Sequence, residues 1–250
     1  MQKYSALLHW RRTSALAVFG SYRNLLNSTL PIFAREPSAC TYLRSLTVMT
    51  ETPVAYFVMY LTIAASLAAM FVPGFGDSSI LHPYSVARGK RLHTLITGNL
   101  IHGGFAHLAF NMLSYYFFAF PLERVVGSER FLIIYIGSML IADIPSLVAH
   151  RNHRHYRTLG ASGAVSGVIF SMILFFPTMK MALLFLPVPI PAYLFGPLYL
   201  VYSYFAARSA GDSINHDAHL WGAVGGVVCT LLAAPQSAVI FLQSMGWSGV

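Results

Sequence analysis

The apolar residues of this chain are gathered into runs of about 17–25 residues, the length a helix needs to cross the hydrocarbon core of a bilayer. Nothing else constrains the fold as strongly, because in lipid a chain must satisfy its backbone N–H and C=O groups internally. Six segments fit: Val54 to Val72, Leu100 to Pro121, Phe131 to Val148, Leu159 to Phe176, about Pro191 to Ala207 and about Ala218 to Leu242. Only 10% of the 250 residues are charged and 56% are hydrophobic, whereas soluble domains carry roughly 25% charged residues. The expectation is an all-α, polytopic membrane protein with a bundle of six transmembrane helices. No internal repeat is present, which speaks against an inverted-repeat transporter.

Sixteen Lys and Arg against eight Asp and Glu give a formal charge of +8. No basic stripe runs through a soluble region, so nucleic-acid binding is not expected; the charge suits contact with the anionic headgroups of a lipid bilayer. Cys40 and Cys229 lie far apart with no CxxC spacing, so neither a disulfide framework nor a thiolate metal site is implied. Residues 1–52 form a polar, basic extension. Its Arg- and Ser-rich, acid-poor composition resembles an organelle transit peptide, and a juxtamembrane tail, or sequence upstream of a start near Met49, would read the same. Residues 53–243 are expected to form the membrane domain and 244–250 a short tail. Positive charges fall on both sides of the six spans, so charge does not orient the chain.

Polar groups inside spans cost several kcal/mol unless they find partners or water, so each marks a candidate functional site. His102, His107 and Asn111 are expected to open the second span, Ser162 lies near the start of the fourth, and His216 and His219 start the sixth. His107 and Asn111 are spaced i, i+4, so both can donate toward one point, as an oxyanion requires; bonding to a neighbouring helix would use the same pair. Ser162 sits between Gly160 and Gly163, with Gly163-x-x-x-Gly167 continuing a small-residue face. His219 precedes Gly222-x-x-x-Gly226. Such faces let backbones approach closely, and a serine becomes a nucleophile only with a base in hydrogen-bond reach. Each motif alone also serves plain packing.

Taken together, Gly160-Ala161-Ser162-Gly163, the helix Ala218-His219-Leu220-Trp221-Gly222-Ala223-Val224-Gly225-Gly226, and His102-x-x-x-x-His107-x-x-x-Asn111 resemble the GxSG, AHxxGxxxG and HxxxxHxxxN motifs of rhomboid intramembrane serine proteases. Glu123-x-x-x-Gly127-Ser128 looks like the family's turn after the second span. The likeness covers about residues 52–243 and is to the compact six-helix form.

The resemblance implies that Ser162 is the nucleophile and His219 its general base in a dyad without a third acid. It implies an oxyanion hole of Asn111, His107 and the Ser162 N–H, with His102, Gly160, Gly163, Gly222 and Gly226 in support. It implies no cofactor and no metal, and membrane-protein substrates, typically single-span, that are cleaved in or near the span after entering by the fifth helix. The cell (inner) membrane is the favoured location, with a mitochondrial or other organelle membrane as the alternative. The chain departs from the family's pattern at Ser166, where some members carry an aromatic residue, at Lys90-Arg91, where many carry Trp-Arg, and at Trp221, bulky for a packed glycine face.

Competing readings of single residues stand beside this. His150, His153 and His155, interleaved with Arg151, Arg154 and Arg157, read as a headgroup-facing loop rather than a metal site. His216 and His219 have a permissible metal-ligand spacing but no carboxylate or thiolate to complete a zinc set. Asp143 reads as a structural hydrogen-bonding acid, and Ser166 competes with Ser162 as nucleophile. A catalytically silent rhomboid-like protein that binds membrane clients is the alternative function, and a small transporter a weaker one.

Overall fold

A computed structural model describes residues 51–183, 186–208 and 215–247. The chain divides into two units, Met1–Thr50 and Glu51–Val250; the expected extension therefore lies outside the described residues except for Glu51 and Thr52. In chain order the described elements are α1 (Pro53–Phe71), the short helices α2 (Phe75–Ser79), α3 (Pro83–Val86) and α4 (Thr94–Thr97), then α5 (Phe105–Val126), α6 (Ser128–His150) and α7 (Ser162–Phe175). They continue with β1 (Lys180–Leu183), β2 (Leu186–Pro191), α8 (Ala192–Ala206), α9 (His216–Ala233) and α10 (Gln236–Ser244).

The helices are arranged with large apolar side chains outward and small polar ones between them. Phe57, Phe71, Val148, Phe205 and Leu232 are exposed on helix faces, while Thr62, Ser66, Ser138, Ser171, Ser203 and Thr230 are buried. Water would not favour that distribution, but lipid does, because close helix approach in a bilayer relies on small residues and polar contacts. Two helices, α1 and α6, are each long and apolar enough to cross a membrane, and α9 with α10 makes a third if the bent pair is one span. At 14 residues, α7 is about 21 Å long, so it fits inside the bundle and is buried along most of its length.

Several expected boundaries shift for identifiable reasons. The second span begins at Phe105 rather than Leu100, because Gly103-Gly104 interrupts it and Gly104 is extended (φ 172°); His102 therefore precedes the helix. The sixth is not one rod: α9 ends at Ala233 and α10 leaves at 111°, at Pro235, which has no N–H to continue the ladder. Ahead of the fifth helix, in a stretch that holds three prolines, the chain pairs as an antiparallel β1–β2 ladder, with Lys180 opposite Pro191 and Met181 opposite Ile190. A small sheet thus joins an otherwise helical fold.

α9 packs against α6 and α7, forming with them the centre of the bundle. The other end of the domain is locked by Glu123. The first turn of α1 has no side-chain cap of its own, and Glu123, buried on α5, supplies one. Its Oε1 accepts from the Val54 N–H (3.1 Å) and Ser128 Oγ–H (2.6 Å), and its Oε2 from the Ala55 N–H (2.7 Å). A carboxylate at a helix N-terminus also meets the positive end of the macrodipole. The chain then reverses at Gly127, whose φ of 83° suits glycine. Glu123→Ala should cost about 1–3 kcal/mol per N–H left without an acceptor, read as a lower unfolding temperature of the purified protein in detergent. An unchanged unfolding temperature would contradict this role.

Candidate active site

Ser162 is the first residue of α7 and half-buried. The turn before it is held by the α1–α5 connection through successive tethers. Leu81 and Thr158 exchange both backbone hydrogen bonds at 3.1 Å, the Gly160 N–H donates to Gly98 C=O (2.9 Å), and the Ala161 N–H donates to His102 Nε2 (3.4 Å). Because Nε2 accepts, Nδ1 carries the proton and donates to Ser66 Oγ (2.9 Å), which in turn donates to Leu100 C=O (3.0 Å). His102 is thus a buried strut between α1 and the serine turn.

Gly160 has φ of +116°, and a Cβ there would sit 2.9 Å from Cε1 and 3.1 Å from Nε2 of His107. Both the backbone conformation and the imidazole require glycine at this position. His107 therefore lies against the turn that presents Ser162, with its ring centroid 4.8 Å from that of His102. Asn111, one turn further along α5, is buried and donates from Nδ2 to His107 C=O (3.0 Å); its amide has a second N–H.

The start of α9 arrives from the other side. A Cβ at Gly163 would lie 3.2 Å from Ala218 O, and one at Gly222 would overlap the Gly163 carbonyl and Cα. One turn deeper, a Cβ at Gly226 would overlap Gly167 O and Cα. The two glycine faces are therefore in direct backbone contact, and they are stitched below by Thr230 Oγ1–H to Ser171 Oγ (2.7 Å) and Ser171 Oγ–H to Gly167 C=O (2.8 Å). Ser162 and His219 sit at adjoining ends of this pair. Trp221 is exposed on the far side of α9, so its bulk is not at the seam, and Asp217 is exposed as well.

Ser166 is buried, and its Oγ lies 3.1 Å from the Tyr199 hydroxyl on α8. That contact occupies the place one turn below Ser162 and ties α8 to α7. Asp143 on α6 accepts from Asn99 Nδ2 (2.9 Å), the structural role its sequence context suggests. Among the described residues, no group of three His, Cys, Asp or Glu side chains is placed to hold a metal.

Two contributors were not singled out by sequence reasoning. Asn99, one residue after Gly98, anchors the α1–α5 connection to Asp143. Asn215 caps α9 by accepting from the Ala218 N–H (3.1 Å), while its Nδ2 donates to Ser146 Oγ (2.9 Å) and Thr158 Oγ1 (3.2 Å). Asn215 thereby links the helix that bears His219 to the segment that leads to Ser162. A capping residue just before an apolar helix was the available signal; its lateral bonds had none.

Gly222→Ala should lower the unfolding temperature, by overpacking of about 1–3 kcal/mol or more, since its Cβ meets backbone that has no rotamer to move. Trp221→Ala, one residue away on the outer face, should leave it nearly unchanged. Equal effects at the two positions would contradict the seam.

The Rhomboid domain family matches residues 89–236, a stretch containing all of these groups except Ser66 and Leu81. The Bacillus subtilis protein named "Putative rhomboid protease YdcA" is 32% identical over 207 residues, covering 82% of this chain and 98% of that protein. An Arabidopsis thaliana mitochondrial RHOMBOID-like protein 12 is 30% identical over 151 residues, 54% of this chain and 45% of that one. The B. subtilis rhomboid protease GluP is 32% identical over 123 residues, 46% of this chain and 24% of that one. With a buried helix pair in backbone contact, a serine turn strutted by histidines and a family match over more than half its length, the chain belongs to the rhomboid family, whose fold is a polytopic membrane bundle.

Proposed function

We propose that residues 53–243 form a six-helix membrane domain that is an intramembrane serine endopeptidase, hydrolysing peptide bonds in or near the spans of membrane-protein substrates. The observation that carries this reading is the backbone contact of Gly163 with Ala218 and Gly222, which supports pairing Ser162, at the start of one helix, with His219, in the first turn of the other. In this reading Ser162 Oγ attacks the scissile carbonyl while His219 takes its proton. The tetrahedral oxyanion receives hydrogen bonds from the Ser162 N–H, His107 and Asn111, and His219 returns the proton to the leaving amine.

Low water content is part of the chemistry, because neutral donors act more strongly in a water-poor wall than in bulk water. A substrate must unwind locally, since a hydrogen-bonded helix withholds its carbonyls from attack. Residues 1–52 are the extension and 244–250 the tail of this arrangement, and the cell membrane is the favoured site of action. The fixed Ser166–Tyr199 contact supports Ser162 over Ser166 as nucleophile.

Purified protein in detergent should cleave a single-span reporter. Ser162→Ala and His219→Ala should reduce cleavage to background, Asn111→Ala should lower it by about 10²–10³-fold, and Ser166→Ala should retain substantial activity. Cleavage by Ser162→Ala, or its loss in Ser166→Ala with the fold intact, would overturn the assignment. A folded wild type that binds the reporter without cutting it would favour the silent alternative.

A further inference from the structure

The end of the bundle that carries Ser162 also carries an arrangement of cations that catalysis does not use. Tyr84, on α3, is approached by two guanidiniums from separate segments: the Arg88 Cζ lies 3.6 Å from its ring centroid and the Arg154 Cζ 5.4 Å. Their backbones are pinned together. Arg88 Nη1 donates to the carbonyls of Tyr84 and Arg151, both at 2.8 Å, and His82 Nε2 meets Arg154 C=O at 2.8 Å. Among the described residues neither Arg88 nor Arg154 has a carboxylate partner; the nearby Asp77 is taken by Arg157 at 2.7 Å.

Two exposed cations on one ring repel each other, and aromatic contact alone is worth only about 0.5–1 kcal/mol at an exposed site. An anion between them would relieve the repulsion, and a guanidinium pair is well suited to bind phosphate oxygens. The same connection exposes Leu92 and Ile96, 54% and 41% accessible, beside exposed Lys90. Basic heads alongside exposed aliphatic side chains are the signature of a surface seated in the headgroup region of a membrane. That signature favours a lipid over a soluble anion or an acidic peptide.

We propose that Arg88, Arg154 and Tyr84 form a headgroup site for an anionic phospholipid, whose phosphate bridges the two guanidiniums. Its occupancy joins the α1–α5 connection to the α6–α7 loop. Those segments meet again at the Leu81–Thr158 pairing, four residues before Ser162, so the lipid also steadies the serine turn; this second consequence rests on the protease reading.

The test is native mass spectrometry of the full chain in detergent with phosphatidylglycerol or phosphatidylcholine added. Wild type should retain phosphatidylglycerol preferentially, the Arg88→Gln/Arg154→Gln variant should lose that preference, and Arg130→Gln, at the opposite end, should keep it. Equal retention of the two lipids, an undiminished preference in the double variant, or complete displacement by inorganic phosphate would overturn the site. Loss of cleavage in the double variant only for reporters with an acidic flank, with lipid retention unchanged, would assign the surface to substrate and overturn it too. Because retention is read without proteolysis, and can be read in Ser162→Ala, failure here is distinct from failure of the protease assignment. In nanodiscs, phosphatidylglycerol should raise reporter cleavage several-fold for wild type and not for the double variant; equal rates beside selective retention would overturn the steadying role.

Discussion

Everything at the centre of this domain depends on two helices meeting without side chains between them. Gly222 lies on the Gly163 carbonyl and Gly226 on that of Gly167, so the separation of α7 and α9 is set by backbone atoms and cannot be tuned by rotamers. In a bilayer there is little hydrophobic gain from bringing helices together, and close van der Waals contact with a few hydrogen bonds must supply the association. The Ser171 and Thr230 hydroxyls add such bonds one and two turns below. The consequence at the upper end is register: once the glycines are in contact, Ser162 and His219 have no freedom to slide apart along the helix axes.

Register alone would leave the serine turn loose, since residues 151–161 are not helical. The α1–α5 connection does the holding, with Leu81, Gly98 and His102 gripping Thr158, Gly160 and Ala161 in turn. That connection is itself anchored from within the bundle by Asp143 through Asn99 and from α1 by Ser66 through His102. Asn215 closes the circuit by bonding the cap of α9 to Thr158. Each buried polar group in this chain of contacts is a liability in lipid unless paired, and pairing makes the network cooperative. His102 thereby acts as a strut, while the His107 ring is pressed on Gly160.

The sequence was most informative where a residue type is obligatory. Glycine at 160, 163, 222 and 226 is demanded by close approach, and those spacings were legible without coordinates, as were the apolar helices and the polar side chains that interrupt them. It was least informative about contacts between distant segments. Nothing in the order of residues indicates that Asn215 reaches Ser146, that Tyr199 meets Ser166, or that Glu123 caps α1, although Glu123 could be noticed by its motif. The β1–β2 ladder has no such signal, because its three prolines cannot donate to a ladder, yet the Met181–Ile190 pairing forms regardless. The bend at Pro235 was hidden by continuous hydropathy, which reports burial in lipid and not the direction of a helix.

The central claim is that Ser162, paired with His219, is the one activated hydroxyl of this network. Reaction of the folded protein with a fluorophosphonate probe, followed by peptide mapping, tests it without knowledge of any substrate. The account predicts a single adduct on Ser162, lost in His219→Ala and preserved in Ser166→Ala. Labelling of Ser166, or no labelling of a folded wild-type sample, would contradict it.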